Sequence, residues 1–210
     1  MVNIKLIESE KEIRGKINKA LARELDNKLK KIKSSILSRL KPIIANALFS
    51  SPEIISLQSG VLRFDFGLTA DPGPQIVSAV VDSLELIVER STSNSNGITG
   101  GFTIRLQPTN YANLLSLPVA MQALEIEARI PWLEWLLTAG DTILIAQFGV
   151  EYGAGLGRSG GARMVPLSQA PFGPYKVNSA FSGTINNNFI TRALSGVSGQ
   201  MKKVIAGALQ

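Results

Sequence analysis

The first forty positions alternate between apolar and basic residues with the period of a helix. Aliphatic side chains recur every three or four residues, and lysines and arginines fill most positions between them. The pattern predicts one helix from Glu8 to Arg39, about 48 Å long at 1.5 Å per residue. Such a helix is longer than the domain behind it, so other protein chains must cover part of its stripe. The stripe comprises Ile13, Ile17, Leu21, Leu25, Leu29, Ile32, Ile36 and Leu40.

Proline marks the end of this first helix and the start of the next. Pro42 disfavours helical geometry at Lys41, which predicts a kink or a restart there, followed by a helical stretch over Ile43–Phe49. Ser51 is placed to cap a helix that has Pro52 at its first position. The same signals predict further helices over residues 75–82, 131–137 and 187–209.

From Leu84 onward the apolar period changes from that of a helix to that of a strand. Leu84–Arg90 predicts a strand, Gly101–Gln107 its antiparallel mate, and Ser91–Gly97 the polar loop between them. A second strand is predicted over Asp141–Tyr152, with Gly161–Val165 as its partner across a glycine-rich turn.

The order of these elements predicts an α+β fold. It consists of a long N-terminal amphipathic helix, a small antiparallel β-sheet with short helices, and a C-terminal helix. Residues 1–50 would form a helical appendage and residues 51–210 an α+β core domain.

Composition argues against most kinds of catalysis. The chain of 210 residues is 45% hydrophobic and has neither cysteine nor histidine. Disulfides, thiolate nucleophiles and the usual proton shuttle at neutral pH are therefore excluded. We expect no enzymatic activity, no cofactor and no bound metal. The N-terminus does not match a signal peptide, and no apolar run approaches the roughly 20 residues that a membrane span needs.

The charges are divided into three blocks. Residues 1–41 carry 12 basic and 5 acidic side chains, residues 42–151 carry 4 and 11, and residues 152–210 carry 6 and none. Blocks of this kind can attract nucleic acid or a membrane. They can equally let the basic ends of one copy bind the acidic middle of another, and the matching counts favour this second interpretation.

Two motifs could indicate chemistry, and neither does so convincingly. Gly155–Gly160 matches a dinucleotide-binding fingerprint, but a strand-like segment follows it where that motif needs a helix. We therefore predict a hairpin tip or assembly loop whose Arg158 hydrogen-bonds a neighbouring carbonyl or carboxylate. Asp141 and Glu151 would lie about 33 Å apart on one extended strand, too far for paired acid–base work.

The basic helix and the two tryptophans are candidate contact surfaces. The helix has no interleaved aromatic residue, which argues against a nucleic-acid or membrane surface and favours packing against protein. Trp132 and Trp135 lie three positions apart on a short helix. Core packing explains both, although one of them could anchor an interface.

Several stretches together resemble the head–tail connector and tail-completion (neck) proteins of long-tailed bacteriophages. Ser51–Leu62 resembles the proline-to-Ser/Thr-Gly-x-Leu joint between the long helix and the sheet of that family. Ile130–Leu137, the turn over Gly153–Met164 and Asn188–Leu194 look like its aromatic-acidic stretch, variable loop and terminal helix, in the same order. The block over residues 71–107 is not matched.

The resemblance implies a structural virion protein that is assembled in the host cytoplasm. The core domain would form a ring of six or twelve copies between the portal or adaptor protein and the tail terminator or tail tube. Non-specific DNA contact in the lumen is compatible with this arrangement, and no membrane is involved. Besides the helical stripe, the expected assembly residues are Trp132, Trp135, Arg158, Arg163, Phe189 and Arg192.

Three alternatives stay open at this point. A tail terminator or baseplate component would bind the tail rather than the portal side. A peripheral membrane protein would use the basic helix on anionic lipid. A hydrolase with a metal held by oxygen ligands would need converging carboxylates, which the sequence does not indicate.

Overall fold

The computed structural model describes residues 8–105, 110–123 and 129–209 and confirms the α+β class. Seven helices and six strands, besides two short 3₁₀ turns, are found within these ranges. The helices are α1 (Glu10–Phe49), α2 (Pro52–Ser59), α3 (Val61–Asp65), α4 (Gly73–Asp82), α5 (Ala112–Leu115), α6 (Trp132–Thr138) and α7 (Phe189–Leu209). The strands are β1 (Glu85–Asn94), β2 (Gly97–Arg105), β3 (Gln122–Ala123), β4 (Arg129–Ile130), β5 (Phe148–Tyr152) and β6 (Ala162–Pro166).

Helix α1 is longer than predicted because it continues through Pro42. It begins at a capping box in which Ser9 and Glu12 bond each other's backbone, and it runs for 40 residues, about 60 Å. The predicted break at Lys41 is wrong. Pro42 lies on the exposed side of the helix, where its ring meets solvent and only one backbone hydrogen bond is lost. The opposite side is held by four fully buried side chains: Ile36, Leu40, Ile44 and Leu48.

These four residues belong to the same core as the rest of the chain. They pack with residues of α2, α4, α6 and α7, and the rings of Trp132 and Phe66 lie 5.3 Å apart at its centre. The division into an appendage over residues 1–50 and a core over 51–210 is thus corrected. The last third of α1 is part of the core, because its apolar stripe is continuous with that of the domain.

The N-terminal part of α1 extends beyond the core and forms an arm together with the β1–β2 hairpin, while α7 belongs to the core. The β1–β2 hairpin and α7 both pack along α1. The Asn18 side-chain amide donates to the carbonyl of Asn94 at 2.7 Å, and the Ser91 amide donates to Asp26 at 2.9 Å. Hydrogen bonding from Ser91 lowers the pKa of the Asp26 carboxyl group. The hairpin therefore follows α1 along most of its exposed length.

The predicted antiparallel pair is confirmed, but its loop is much shorter than Ser91–Gly97. The register runs from Glu85 opposite Arg105 to Asn94 opposite Gly97, with a bulge between Glu89 and Thr92. Only residues 95 and 96 form the turn, where the Asn94 side-chain oxygen accepts the amides of Asn96 and Gly97. The residues over 91–97 are polar because both strands are largely exposed here, not because the ladder ends.

Strand β5 starts seven residues later than predicted. The segment from Asp141 to Gln147 is irregular, and the amides of Leu144 and Ile145 donate to the carbonyl of Tyr175. These backbone groups are satisfied by a loop, so no ladder forms before Phe148. The pairing of β5 with β6 over Ala162–Pro166 agrees with the prediction.

A buried asparagine at the start of α7 joins three distant segments. Asn188 is fully buried, and its side-chain amide donates to Tyr111 Oη and to the carbonyls of Leu137 and Thr184. Its side-chain oxygen accepts the amides of residues 190 and 191, which caps the helix. Every polar atom of this side chain is used, which fixes where α7 leaves the core.

One turn later, Arg192 donates to Glu53 Oε1 at 2.6 Å, and the Glu53 side chain is only 5% exposed. We expect Arg192→Ala to lower the free energy of unfolding by about 2–3 kcal/mol, because the glutamate would be left buried without its cation. Urea unfolding of the two proteins at pH 7 measures the difference.

Arg163→Ala is the matched control. Its partner, Glu151, is 2.8 Å away, but the two side chains are 54% and 39% exposed. Exposed pairs contribute about 0–1 kcal/mol, so this variant should unfold almost like the parent chain. Equal losses in the two variants would contradict the importance of the Glu53 pair.

Candidate functional site

The structure divides the predicted α1 stripe into a buried and an exposed part. Leu29, Ile36 and Leu40 are at most 2% exposed within the single chain. Their predicted role in assembly is corrected, because another chain cannot reach them. Ile13, Leu25 and Ile32 are partly covered. Two residues of the stripe are 52% exposed: Ile17 and Leu21.

The exposed pair lies on a row that continues with a basic side chain. Arg14 precedes Ile17 by three positions and Leu21 by seven, so the three share one face of α1. Arg14 donates to Glu10 at 2.7 Å, and the two side chains are 66% and 80% exposed. An ion pair this exposed is worth little and is easily exchanged for another. The arm thus presents two aliphatic side chains beside an available cation.

The other predicted assembly residues have diverse surroundings. Trp132 and Phe189 are buried in the core, so another chain cannot reach them, whereas Arg192 pairs with Glu53 and its side chain stays 41% exposed. Trp135 is half-buried, with its ring 6.0 Å from that of Tyr175. The remaining two, Arg163 and Arg158, are exposed on the β5–β6 hairpin.

The glycine-rich motif is the tip of that hairpin, in agreement with the prediction. Gly157 has a φ of +62°, and a Cβ there would come within 2.0 Å of the carbonyl oxygen of Ala162. Strand β6 follows directly, so no helix N-terminus stands behind the glycines to hold a pyrophosphate. The Arg158 guanidinium lies against Gly67, on the turn after α3.

A cleft of about 400 Å³ opens between α3, β5 and the loop over residues 172–179. Apolar and aromatic side chains form its walls, and one carboxyl group lies inside it. Sequence reasoning did not find this site, although an aspartate between two phenylalanines, Phe64 and Phe66, is a signal of a carboxyl group near a core. The lining includes the side chains of Asp65, Val150, Tyr152, Phe172, Tyr175 and Lys176.

The carboxyl group in the cleft belongs to Asp65. Burial raises its pKa from the usual 3.8 to about 6, and the hydroxyl of Tyr152, which donates to it at 2.5 Å, opposes that rise. Burial and the neighbouring carboxylate raise the pKa of Tyr152 in turn. The Tyr175 hydroxyl is buried and finds no hydrogen-bond partner within the described ranges. The cleft therefore contains polar atoms whose bonding capacity is incompletely used.

Nothing among the described residues assembles the carboxylates that a metal hydrolase would need. No group of three or more acidic side chains there could hold a metal ion. Glu151 is paired with Arg163, and Asp141 is exposed on the irregular segment before β5. None of the helices within these ranges is long and apolar enough to cross a membrane.

Comparisons with known proteins add no relative. No protein-family model matches the chain, and searches of curated proteins and of solved structures find no match. The arguments about function therefore come from the residues and their geometry.

We expect the stability of the fold to depend on the ionisation of Asp65. A folded-state pKa of about 6 against 3.8 means that this residue stabilises the fold fully below pH 3.8. The contribution is lost as pH rises through 6, and it amounts to about 2–3 kcal/mol. Asp65→Asn should therefore become more stable relative to the parent chain by this amount between pH 4 and pH 8, measured by urea unfolding.

Asp141→Asn is the control, since that carboxyl group is exposed and its substitution should have an effect that does not vary with pH. If the difference between Asp65→Asn and the parent chain is the same at both pH values, Asp65 is not held in a desolvated site.

Proposed function

We propose that this chain is a non-enzymatic structural protein of a tailed bacteriophage virion. In this proposal it forms a neck ring, as a connector or tail-completion protein between the portal or adaptor protein and the tail. The observation that carries the proposal is the exposure of aliphatic side chains on the arm. On α1, Ile17 and Leu21 are half exposed, and the β1–β2 hairpin covers another side of the helix through hydrogen bonds at Asn18 and Asp26.

Physical chemistry supports a second protein chain as the cover for this row. Neighbouring aliphatic side chains that stay exposed are a common feature of surfaces that bind protein. In a ring, each subunit contacts its neighbours through two different patches, and a projecting arm is one such patch. The arm also places this exposed aliphatic surface beyond the core, where it can contact an adjacent subunit.

The charge blocks support association between copies. The basic first block lies on α1, and the acidic middle block provides most of the surface from α2 to β5. Within one copy the β1–β2 hairpin and the Lys41–Asp82 ion pair already bring part of the acidic block onto α1. In the proposal, the remaining exposed acidic side chains of the block attract the basic arm of another copy. The choice of a neck ring as the assembly rests on the resemblance to neck proteins. Three stretches carry that resemblance: Ser51–Leu62, Ile130–Leu137 and Asn188–Leu194.

The hairpin tips supply surfaces for contacts between rings. The β1–β2 turn lies beside Asn18 on the arm, and the β5–β6 tip carries the exposed Arg158. In the proposal these two tips meet the portal side and the tail side. Basic residues that face the lumen would contact DNA without sequence specificity.

The double variant Ile17→Asp/Leu21→Asp tests the arm. We expect the purified parent chain to form a discrete ring, or to join a portal–adaptor complex, and the double variant to do neither. The substituted positions are exposed, so the free energy of unfolding should change by less than about 0.5 kcal/mol each. Native mass spectrometry and negative-stain imaging measure assembly.

Ile143→Asp is the matched control, because Ile143 is 59% exposed but lies outside the arm. It should assemble like the parent chain. A parent chain that stays monomeric at all concentrations and does not bind a portal–adaptor complex would contradict the proposed function.

A further inference from the structure

The cleft beside α3 contains a carboxylate that lacks a cation. The ion pairs formed within residues 8–105, 110–123 and 129–209 do not include Asp65. Its one hydrogen bond comes from Tyr152, which is a neutral donor. A carboxylate oxygen can accept more than one bond, so this group retains acceptor capacity toward the cleft.

Lys176 lines the same cleft without neutralising the carboxylate. It is exposed at the rim, and it forms no ion pair with Asp65. The negative charge inside the cleft is thus left for a group that enters from outside. By contrast, Glu53, which is more deeply buried than Asp65, is paired inside the chain.

Aromatic side chains around this carboxylate are suited to a cation. Phe172 is 75% exposed, and its ring lies edge-on to that of Tyr152 with centroids 5.8 Å apart. The Tyr175 hydroxyl is the unpartnered buried polar atom described above, and it is also part of the lining. A carboxylate flanked by aromatic faces and a free hydroxyl matches a guanidinium group, which stacks on rings and donates in several directions.

We propose that this cleft binds Arg14 from the arm of a second copy of the chain. The inference rests on the proposed function as an assembly protein and identifies the two surfaces that meet. Arg14 is chosen because it shares a face with Ile17 and Leu21, so one docking event covers the aliphatic row and inserts the cation. The cleft holds the carboxylate of Asp65, which has no cation, and the arm holds the exposed guanidinium of Arg14, so the two groups have the required charge complementarity.

Apolar counterparts for Ile17 and Leu21 lie close to the cleft. Besides Phe172 and Tyr152, the β5–β6 unit and the turn after it leave further large apolar side chains about 40% exposed. They would be covered by the docked aliphatic row, as in the apolar centre of an interface. These side chains are Phe148, Met164 and Leu167.

A double-mutant cycle on the full chain tests the contact. Sedimentation velocity at pH 7.5 measures self-association of the parent chain, Asp65→Asn, Arg14→Gln and the double variant. We expect each single change to weaken association about tenfold or more, and the double change to weaken it no further than either single change. Arg23→Gln, on another face of the arm, and Lys176→Gln, at the cleft rim, should associate like the parent chain.

A cross-linking measurement keeps the test independent of stability. Because the chain has no cysteine, Glu10→Cys and Ser179→Cys create single thiols on the arm and at the cleft mouth. A mixture of these two variants should give a disulfide-linked heterodimer on oxidation, while Glu10→Cys mixed with Ile143→Cys should not.

The outcomes separate the two proposals. Association of the parent chain that is unchanged by Asp65→Asn, or additive effects in the cycle, overturns the cleft contact and leaves the assembly function standing. Equal cross-linking at residues 143 and 179 also overturns the cleft contact. A parent chain that never associates overturns both.

Discussion

The length of α1 is the constraint from which the rest of the architecture follows. A helix of 40 residues extends about 60 Å, and the core covers only its last third with fully buried side chains. The β1–β2 hairpin covers one side of the remaining two thirds. Most other positions there stay exposed, and Ile17 and Leu21 among them form the surface on which the proposed function depends.

The chain treats its buried carboxyl groups in two different ways. Glu53 receives Arg192 from α7, so its charge is neutralised inside the fold. Asp65 receives only the hydroxyl of Tyr152, and its desolvation remains as a raised pKa. Burying an ion without a partner costs free energy of folding. A carboxyl group that is partly desolvated in a cleft is therefore a candidate for a binding role. This contrast is the physical reason to regard the cleft as a binding surface.

In the proposed contact, the exposed cation and aliphatic row of the arm and the carboxylate of the aromatic cleft give one subunit two complementary patches. Such an arrangement forms head-to-tail contacts, and head-to-tail contacts close into rings when the rotation per subunit allows it. The polar network around Asn188 fixes where α7 begins, and therefore how this helix packs along α1.

The sequence by itself determined the local elements. Periodicity predicted α1, the β1–β2 pair and α7, and the signals at Ser51 and Pro131 located two short helices, because these features depend on residues within a few positions of each other. Tertiary structure alone decided which stripe residues are buried, since Ile36 and Ile17 have the same local pattern and differ only in what packs against them. It also decided that Pro42 stays inside a helix, because burial on the opposite face outweighs one lost hydrogen bond. The pairing of Glu53 with Arg192 and that of Asp65 with Tyr152 join residues far apart in the chain, and no local signal can specify such contacts.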